Sequence, residues 1–206
     1  DLLKEGLVNY RIIDRDLIRE RIIQLLEMVG LSEDFMDRYP NQLSGGERQR
    51  IAIARALSVE PEIVVCDEVV SALDVSMQAL ILELLKELQQ RLNLSYVFIT
   101  HDLNAANYLS HRIAVIYKGS FVEIANSKEL IENPLHPYTR DLINASSLKF
   151  SEKQVIETTS ENSDVNKGLC PFISLCEFKP SECTKTPPSW SNVQNDHKVR
   201  CNLYKK

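Results

Sequence analysis

Two short, β-branched apolar segments constrain the fold of this chain more than any other feature, because ionisable side chains follow each of them directly. The first covers residues 62–67 and leads into Glu68, and the second covers residues 95–100 and leads into His101. A helical pattern over Val75–Leu92 separates them. Strand, helix and strand in this order predict an α/β core. Apolar strands of this kind are expected to be covered on both faces.

The rest of the chain predicts a mainly helical start, a hairpin and an irregular tail. Predicted helices cover Asp14–Val29, Ser32–Arg38, Ser44–Ser58, Leu103–Ser110, Ser127–Glu132 and a segment after Pro137, and the predicted hairpin pairs Arg112–Tyr117 with Phe121–Ile124. Residues 146–168 are polar and predict a flexible linker. The tail after them shows neither helix nor strand pattern.

Charge and hydropathy exclude two classes of protein. The net charge of −5 argues against a nucleic-acid partner, because phosphate binding needs a basic surface. No apolar segment reaches the roughly 18–20 residues that cross a bilayer, and no secretory signal opens the chain. We therefore expect a soluble, cytoplasmic protein. Because the sequence begins with Asp1 and has no strand before its first helix, we also expect it to be truncated.

The residues that follow the two strands are candidates for catalysis. If the strands are parallel, Asp67, Glu68 and His101 should emerge at the same sheet edge, where α/β proteins bind ligands. Asp67 suits Mg²⁺, and Glu68 could polarise an attacking water. Taken singly, two acids after a strand also fit a solvated strand end, and His101 also fits a helix cap.

A second candidate site lies where Ser44-Gly45-Gly46 opens a helix. Unpaired backbone N–H groups and the helix dipole favour a phosphate at such a position. A capped turn with no ligand is the alternative interpretation.

Together with Ser71-Ala72-Leu73-Asp74, these segments resemble the ATP-binding-cassette (ABC) ATPases. The resemblance implies a partial P-loop NTPase-type ABC ATPase domain with a helical subdomain, ATP and Mg²⁺ as cofactors, and a head-to-tail pair of subunits. It implies that Ser44, Gly45 and Gly46 contact the nucleotide of the opposite subunit and that Gln49 binds nucleotide, and it places Asp74 in the dimer loop. Asp67 would hold Mg²⁺, Glu68 would act on the catalytic water, and His101 would be the switch.

The segment Asn133–Arg140, which reads NPLHPYTR, narrows the resemblance to the ATPases of oligopeptide and dipeptide importers. Those proteins also end in a four-cysteine module, matched here by Cys170, Cys176, Cys183 and Cys201. In a cytosolic tail, four thiols favour a metal site over disulfides. Their spacing lacks the paired C-x2-C of common zinc sites, and the resemblance implies a [4Fe-4S] cluster, with zinc as the alternative. The isolated Cys66 is expected to be core.

The sequence also departs from the family pattern. It contains no G-x-x-x-x-G-K-[ST] phosphate loop, so we expect that loop upstream of Asp1 and little hydrolysis by this chain alone. Glu47 replaces the usual Gln, and Val69-Val70 replaces Pro-Thr. A shortened, inactive subunit that gives only its signature loop, and a non-transport ABC ATPase, remain alternatives.

The resulting hypothesis is an ATPase that powers import of oligopeptides or dipeptides from the cytoplasmic face of the cell membrane. The resemblance implies a second ATPase subunit, identical or not, integral-membrane permease subunits and, indirectly, an extracellular solute-binding protein. We assign the ATPase domain to residues 1–145, with residues 1–60 mainly helical, the linker to 146–168, and a small irregular cysteine module to 169–206.

Overall fold

The chain forms two compact units, Asp1–His101 and Asp102–Lys206. The computed structural model describes residues 2–9, 14–148, 169–194 and 196–205. Most of the predicted linker, residues 149–168, therefore lies outside the described residues. Within the described ranges, no helix is both long and apolar enough to cross a membrane.

The first unit begins with three helices. These are α1 (Leu2–Asn9), α2 (Ile18–Met28) and α3 (Gly45–Leu57), with 3₁₀ turns at Arg15–Leu17, Glu33–Asp37 and Pro40–Gln42. The helix predicted over Asp14–Val29 is confirmed, with a 3₁₀ first turn. The helix ends at Met28, with Val29 as its C-cap, and Gly30 follows with a φ of 71°, in the left-handed region that favours glycine. The fully buried Leu25 and Leu26 on α2 anchor this helical part in its core.

The predicted strand, helix and strand are present in the first unit. They are β1 (Ile63–Asp67), α4 (Val75–Leu92) and β2 (Ser95–Ile99). The two strands pair in parallel from Ile63 opposite Ser95 to Asp67 opposite Ile99. Their carboxyl ends therefore meet at one sheet edge, as the sequence predicts.

Among the described residues, one face of this two-stranded sheet is exposed, which differs from the expectation of strands covered on both faces. Ile63, Val65, Val97 and Ile99 are 62%, 63%, 50% and 48% exposed. Cys66, which points to the other face, is 5% exposed. Apolar β-branched residues indicate that a strand face favours burial, but they do not specify what covers it.

The second unit contains the remaining helices and an antiparallel hairpin. Its first elements are α5 (Leu103–Leu109), β3 (Arg112–Tyr117), β4 (Ser120–Asn126), α6 (Ser127–Glu132) and α7 (Pro137–Leu148). At the hairpin turn Lys118 and Gly119 have φ values of 44° and 74°, which fit the tight turn favoured between antiparallel strands. The predicted hairpin is confirmed, although β4 is longer than its apolar pattern suggested.

The tail is not irregular, which corrects the sequence-based prediction for residues 169–206. It contains 3₁₀ turns at Ser181–Thr184 and Asn202–Tyr204 and two strands, β5 (Trp190–Gln194) and β6 (His197–Arg200). The sheet order is β3-β4-β6-β5, so the tail extends the hairpin. Both strands are short and mostly polar, and their turn includes Asp196 at φ 61° rather than a glycine, so the usual hairpin signals are missing.

Aromatic side chains join the tail to the rest of the second unit. The ring of Tyr117 lies 4.5 Å from that of Tyr138 and 5.2 Å from that of Phe172, centroid to centroid. Tyr138 and Phe172 are 5.5 Å apart. Tyr117 and Tyr138 thus pack against both the buried cluster of the hairpin and the buried cluster of the cysteine tail.

Candidate functional site

Glu68 and His101 meet at the sheet edge formed by the ends of β1 and β2. Nδ1 of His101 lies 3.0 Å from Oε1 of Glu68, and both side chains are exposed. The hydrogen bond from His101 holds the pKa of the Glu68 carboxyl below its usual value. Glu68 is therefore ionised near neutral pH, the state in which a carboxylate can accept a proton from water.

The backbone at Glu68 fixes where this carboxylate points. Its φ of 51° is unusual for a residue other than glycine. Its N–H donates to the carbonyl of Ile99 at 3.0 Å, while its own carbonyl accepts from the N–H and the hydroxyl of Ser71 at 3.1 and 2.9 Å. Strained residues held in this way cluster at functional sites. Val69-Val70 in place of Pro-Thr leaves this turn intact.

Asp67 and Gln49 line one cleft. Asp67 is the last residue of β1 and is exposed, while Gln49 lies in the second turn of α3. The same cleft is bordered by Val69, Leu85 and Tyr96. An exposed carboxylate at a strand end suits a hard cation.

Ser44 caps α3 in a reciprocal arrangement with Glu47. The Glu47 N–H donates to Oγ of Ser44 at 3.3 Å, and the Ser44 N–H donates to Oε2 of Glu47 at 2.7 Å. The hydrogen bond from the Ser44 backbone is the largest cause of a lowered pKa at Glu47. Sequence reasoning treated Glu47 only as a departure from the family, although serine followed by glutamate three residues later is the signal of a capping box.

The two glycines of the signature lie against residues on either side of Asp74, one in the loop before α4 and one in the first turn of α4. A Cβ on Gly45 would lie 3.3 Å from Cδ2 of Leu73, and a Cβ on Gly46 would collide with Cε of Met77. Asp74 itself caps α4 by accepting from the Met77 N–H at 3.0 Å. The predicted signature residues and the predicted dimer-loop residue are therefore neighbours within the first unit.

The four cysteines of the tail line a single cavity in the second unit. Cys170, Cys176, Cys183 and Cys201 are all buried and free of disulfides, and His136 and Pro137 form another part of the wall. Burial raises the pKa of Cys170 and Cys183, and it raises that of Cys201 to about 11. Nearby thiols add to the shift at Cys201, so the four side chains lie within electrostatic range of one another.

The donor chemistry of this cavity fits a thiolate-bound metal, since four cysteines are the ligand set of zinc and of iron–sulfur clusters. The side-chain positions do not form such a site: among the described residues, no group of three or more histidine, cysteine, aspartate or glutamate side chains could hold a metal ion. A metal would also have to displace the thiol protons, since burial stabilises the neutral form.

Sequence reasoning missed a buried hydrogen-bond network around Glu123 on β4. This carboxylate is fully buried and accepts from the N–H groups of Leu135 and His136 at 2.7 and 2.8 Å. It also pairs with Nε2 of His197 on β6 at 2.7 Å. Burial lowers the pKa of His136 to about 4, so its ring is neutral and accepts from the Tyr138 N–H. No local signal links Glu123 to His197, which is 74 residues away in sequence.

Two family models match the chain. The ABC transporter model matches residues 6–71, which include the helix that Ser44 caps and the turn at Glu68. The model of the oligopeptide/dipeptide transporter C-terminal region matches residues 122–183, from β4 through Cys183.

Individual proteins agree with both matches. The oligopeptide transport ATP-binding protein OppF of Bacillus subtilis is 51% identical over 146 residues, which cover 70% of this chain and 48% of OppF. AppF of the same organism, also an oligopeptide transport ATP-binding protein, is 40% identical over 192 residues, or 90% of this chain and 58% of AppF. A dimeric bacterial ABC transporter cassette aligns with a TM-score of 0.52 and 33% identity, covering 61% of this chain and 56% of the cassette.

Fold, site and comparisons together define the class: this is a partial ABC-type ATPase domain, which confirms the predicted α/β fold class. Within that class, the chain is similar to the ATP-binding proteins of oligopeptide/dipeptide transporters. It spans about half the length of the curated relatives named above. Those relatives are transport proteins, so the non-transport alternative is not favoured.

Proposed function

We propose that this chain is the part of an ATP-binding subunit that completes the nucleotide site of an oligopeptide or dipeptide importer and activates ATP hydrolysis there. The observation that carries the proposal is the Glu68–His101 pair, 3.0 Å apart at the sheet edge, in a chain whose tail matches oligopeptide transporters. Glu68 accepts the proton of the attacking water. His101 holds the carboxylate ionised and oriented.

The other site residues divide into two groups. Ser44, Gly45 and Gly46 present a hydroxyl and the N-terminus of α3, a 13-residue helix, to the nucleotide held by a partner subunit. Asp67 and Gln49, on the walls of one cleft, serve the metal and the nucleotide. When bound, ATP with Mg²⁺ supplies the transferable phosphoryl group and the charge neutralisation that hydrolysis needs.

The proposal includes partners and a location. A second ATPase subunit faces the signature residues, and the dimeric cassette to which this chain is similar supports such pairing. Permease subunits in the membrane carry the solute, an extracellular solute-binding protein delivers it, and the subunit acts at the cytoplasmic face. The oligopeptide assignment is supported by the family of the C-terminal region.

Hydrolysis by the full-length protein with its partners tests the role of Glu68. The Glu68→Gln variant removes the proton acceptor but keeps the shape, so we expect hydrolysis to fall by about 100-fold or more while nucleotide binding persists. Glu83→Gln, an exposed glutamate on α4, is the matched control and should behave like the wild type. Hydrolysis by Glu68→Gln within about twofold of wild type would refute the assignment.

We further propose that the four-cysteine cavity holds a [4Fe-4S] cluster, with zinc as the alternative occupant. The support is the convergence of four buried, free thiols on one cavity. Anaerobic purification followed by visible absorption and elemental analysis distinguishes the two. Brown protein with about four irons per chain is expected, whereas colourless protein with stoichiometric zinc would exclude the cluster.

A further inference from the structure

The four-cysteine cavity is assembled from segments that are far apart in sequence. Cys170, Cys176 and Cys183 lie close together in the chain, whereas Cys201 follows the β5–β6 hairpin. The wall at His136 and Pro137 comes from the start of α7 and the residue before it. The position of Cys201 relative to the other three thiols therefore depends on how β6 is held.

The backbone pairing between β6 and β4 is short. Within the described residues, the two strands align at Glu123 with Val199 and at Ile124 with Lys198. The side chain of His197, 1% exposed, adds a bond from Nε2 to Oε1 of Glu123 at 2.7 Å. Its Nδ1 lies 3.7 Å from Oε1 of Glu129 on α6, and neither of those two atoms has a hydrogen-bond partner among the described residues. The imidazole thus lies between two carboxylates.

The same carboxylate also holds another part of the cavity wall. Glu123 accepts from the N–H groups of Leu135 and His136, next to Pro137 in the cavity wall. One fully buried side chain therefore contacts both the strand that leads to Cys201 and the segment that contributes His136 to the cavity wall. A buried carboxylate needs all of its hydrogen bonds, so losing one donor destabilises the arrangement of the others.

We propose that His197 is a positioning residue for the four-cysteine cavity. By hydrogen bonding to Glu123, it holds β6 in the position in which Cys201 faces the other three thiols. The identity of the metal or cluster in the cavity rests on the proposed function, but the positioning of Cys201 by His197 does not. Loss of the imidazole frees the end of β6 and opens the cavity on the side of Cys201.

The test measures thiol labelling in the full-length protein after anaerobic removal of metal by chelation. An aromatic disulfide reagent modifies accessible cysteines, and mass spectrometry gives the rate for each one. We expect Cys201 to react about tenfold faster in His197→Ala than in wild type, and within about threefold of wild type in His197→Gln, whose amide can still donate to Glu123. Lys198→Ala, a neighbouring and half-exposed position on β6, is the control.

Cys66, which is buried in the first unit, reports general unfolding. If His197→Ala exposes Cys66 as well, Glu123→Gln is tested in its place, because it keeps the side-chain volume and removes one acceptor oxygen. In that variant Cys201 should again react faster than in wild type, while the labelling rate of Cys66 stays unchanged. The proposal is overturned if Cys201 is labelled at the wild-type rate in Glu123→Gln or in folded His197→Ala. It is also overturned if His197→Gln does not restore slow labelling. The metal content of the untreated wild type is measured separately. A cavity without metal would refute the proposed cluster, whereas the role of His197 would still be decided by the labelling rates.

Discussion

The capping box at α3 shows how one side-chain substitution changes the chemistry of the signature residues. Glutamate and glutamine can both accept from the Ser44 N–H, but an ionised carboxylate is the stronger acceptor and interacts favourably with the helix N-terminus. Glu47 therefore strengthens the cap on α3 compared with the usual Gln. It also places a negative charge beside the Ser44 hydroxyl, where the proposed function puts a phosphate.

The Ser44 amide should report the ionisation of Glu47. Because hydrogen bonds from Ser44 lower the pKa of Glu47, the cap is fully present above the ordinary value of 4.5 and is lost as the pH falls through a lower midpoint. In an NMR titration, the Ser44 amide signal should shift with a midpoint below 4.5. Glu47→Gln is the control and should show no such step. A midpoint at or above 4.5 would contradict the prediction.

At the scale of elements, local patterns predicted the structure wherever a segment determines its own conformation. The helix at Val75–Leu92 has its cap at Asp74 and its left-handed end at Asn93, all within one stretch of chain. β6 could not be predicted in this way, because its pairing depends on Glu123 and Ile124, more than 70 residues earlier. For the same reason the sequence indicated Glu68 and His101, each at the end of its own apolar strand, but not the Glu123–His197 pair.

The open face of the β1–β2 sheet should make the 206-residue chain self-associate. Val65 and Val97 are at least half exposed on adjacent parallel strands, and such apolar strand surfaces pair with other chains. Replacing both with Thr should lower the weight-average mass seen in sedimentation at a given concentration. It should change the free energy of unfolding by less than about 1 kcal/mol, since neither side chain is buried.

The matched control for that pair is Val64→Thr, at a partly buried position on the opposite face of β1. This change should cost stability through an ill-placed hydroxyl and leave association unchanged. Equal association by the wild type and the double variant would show that the open face is not the surface that associates.

At the scale of the whole molecule, several contacts within the second unit join its tail to the rest of that unit, and most of them reach the segment 133–140. Glu123 links that segment to β6, and the rings of Tyr138 and Phe172 pack together. The last described turn adds a third tie: the Tyr204 hydroxyl accepts from Nη2 of Arg140 at 3.1 Å and donates to the carbonyl of Leu135 at 3.2 Å. We therefore expect the segment 133–140 and the cysteine tail to stabilise each other.

If this is so, removing one oxygen near the end of the chain should loosen residues more than 60 positions earlier. Tyr204→Phe deletes both hydrogen bonds of the hydroxyl, at an expected cost of about 1–2 kcal/mol, because the Leu135 carbonyl and Arg140 each lose a partner. Amide hydrogen exchange at Arg140, whose N–H donates to the His136 carbonyl at 3.1 Å, should then accelerate by about tenfold. Leu203→Ala removes an exposed side chain from the same turn and should leave that rate unchanged. Unaltered exchange in Tyr204→Phe would mean that the tail rests on the segment 133–140 without stabilising it.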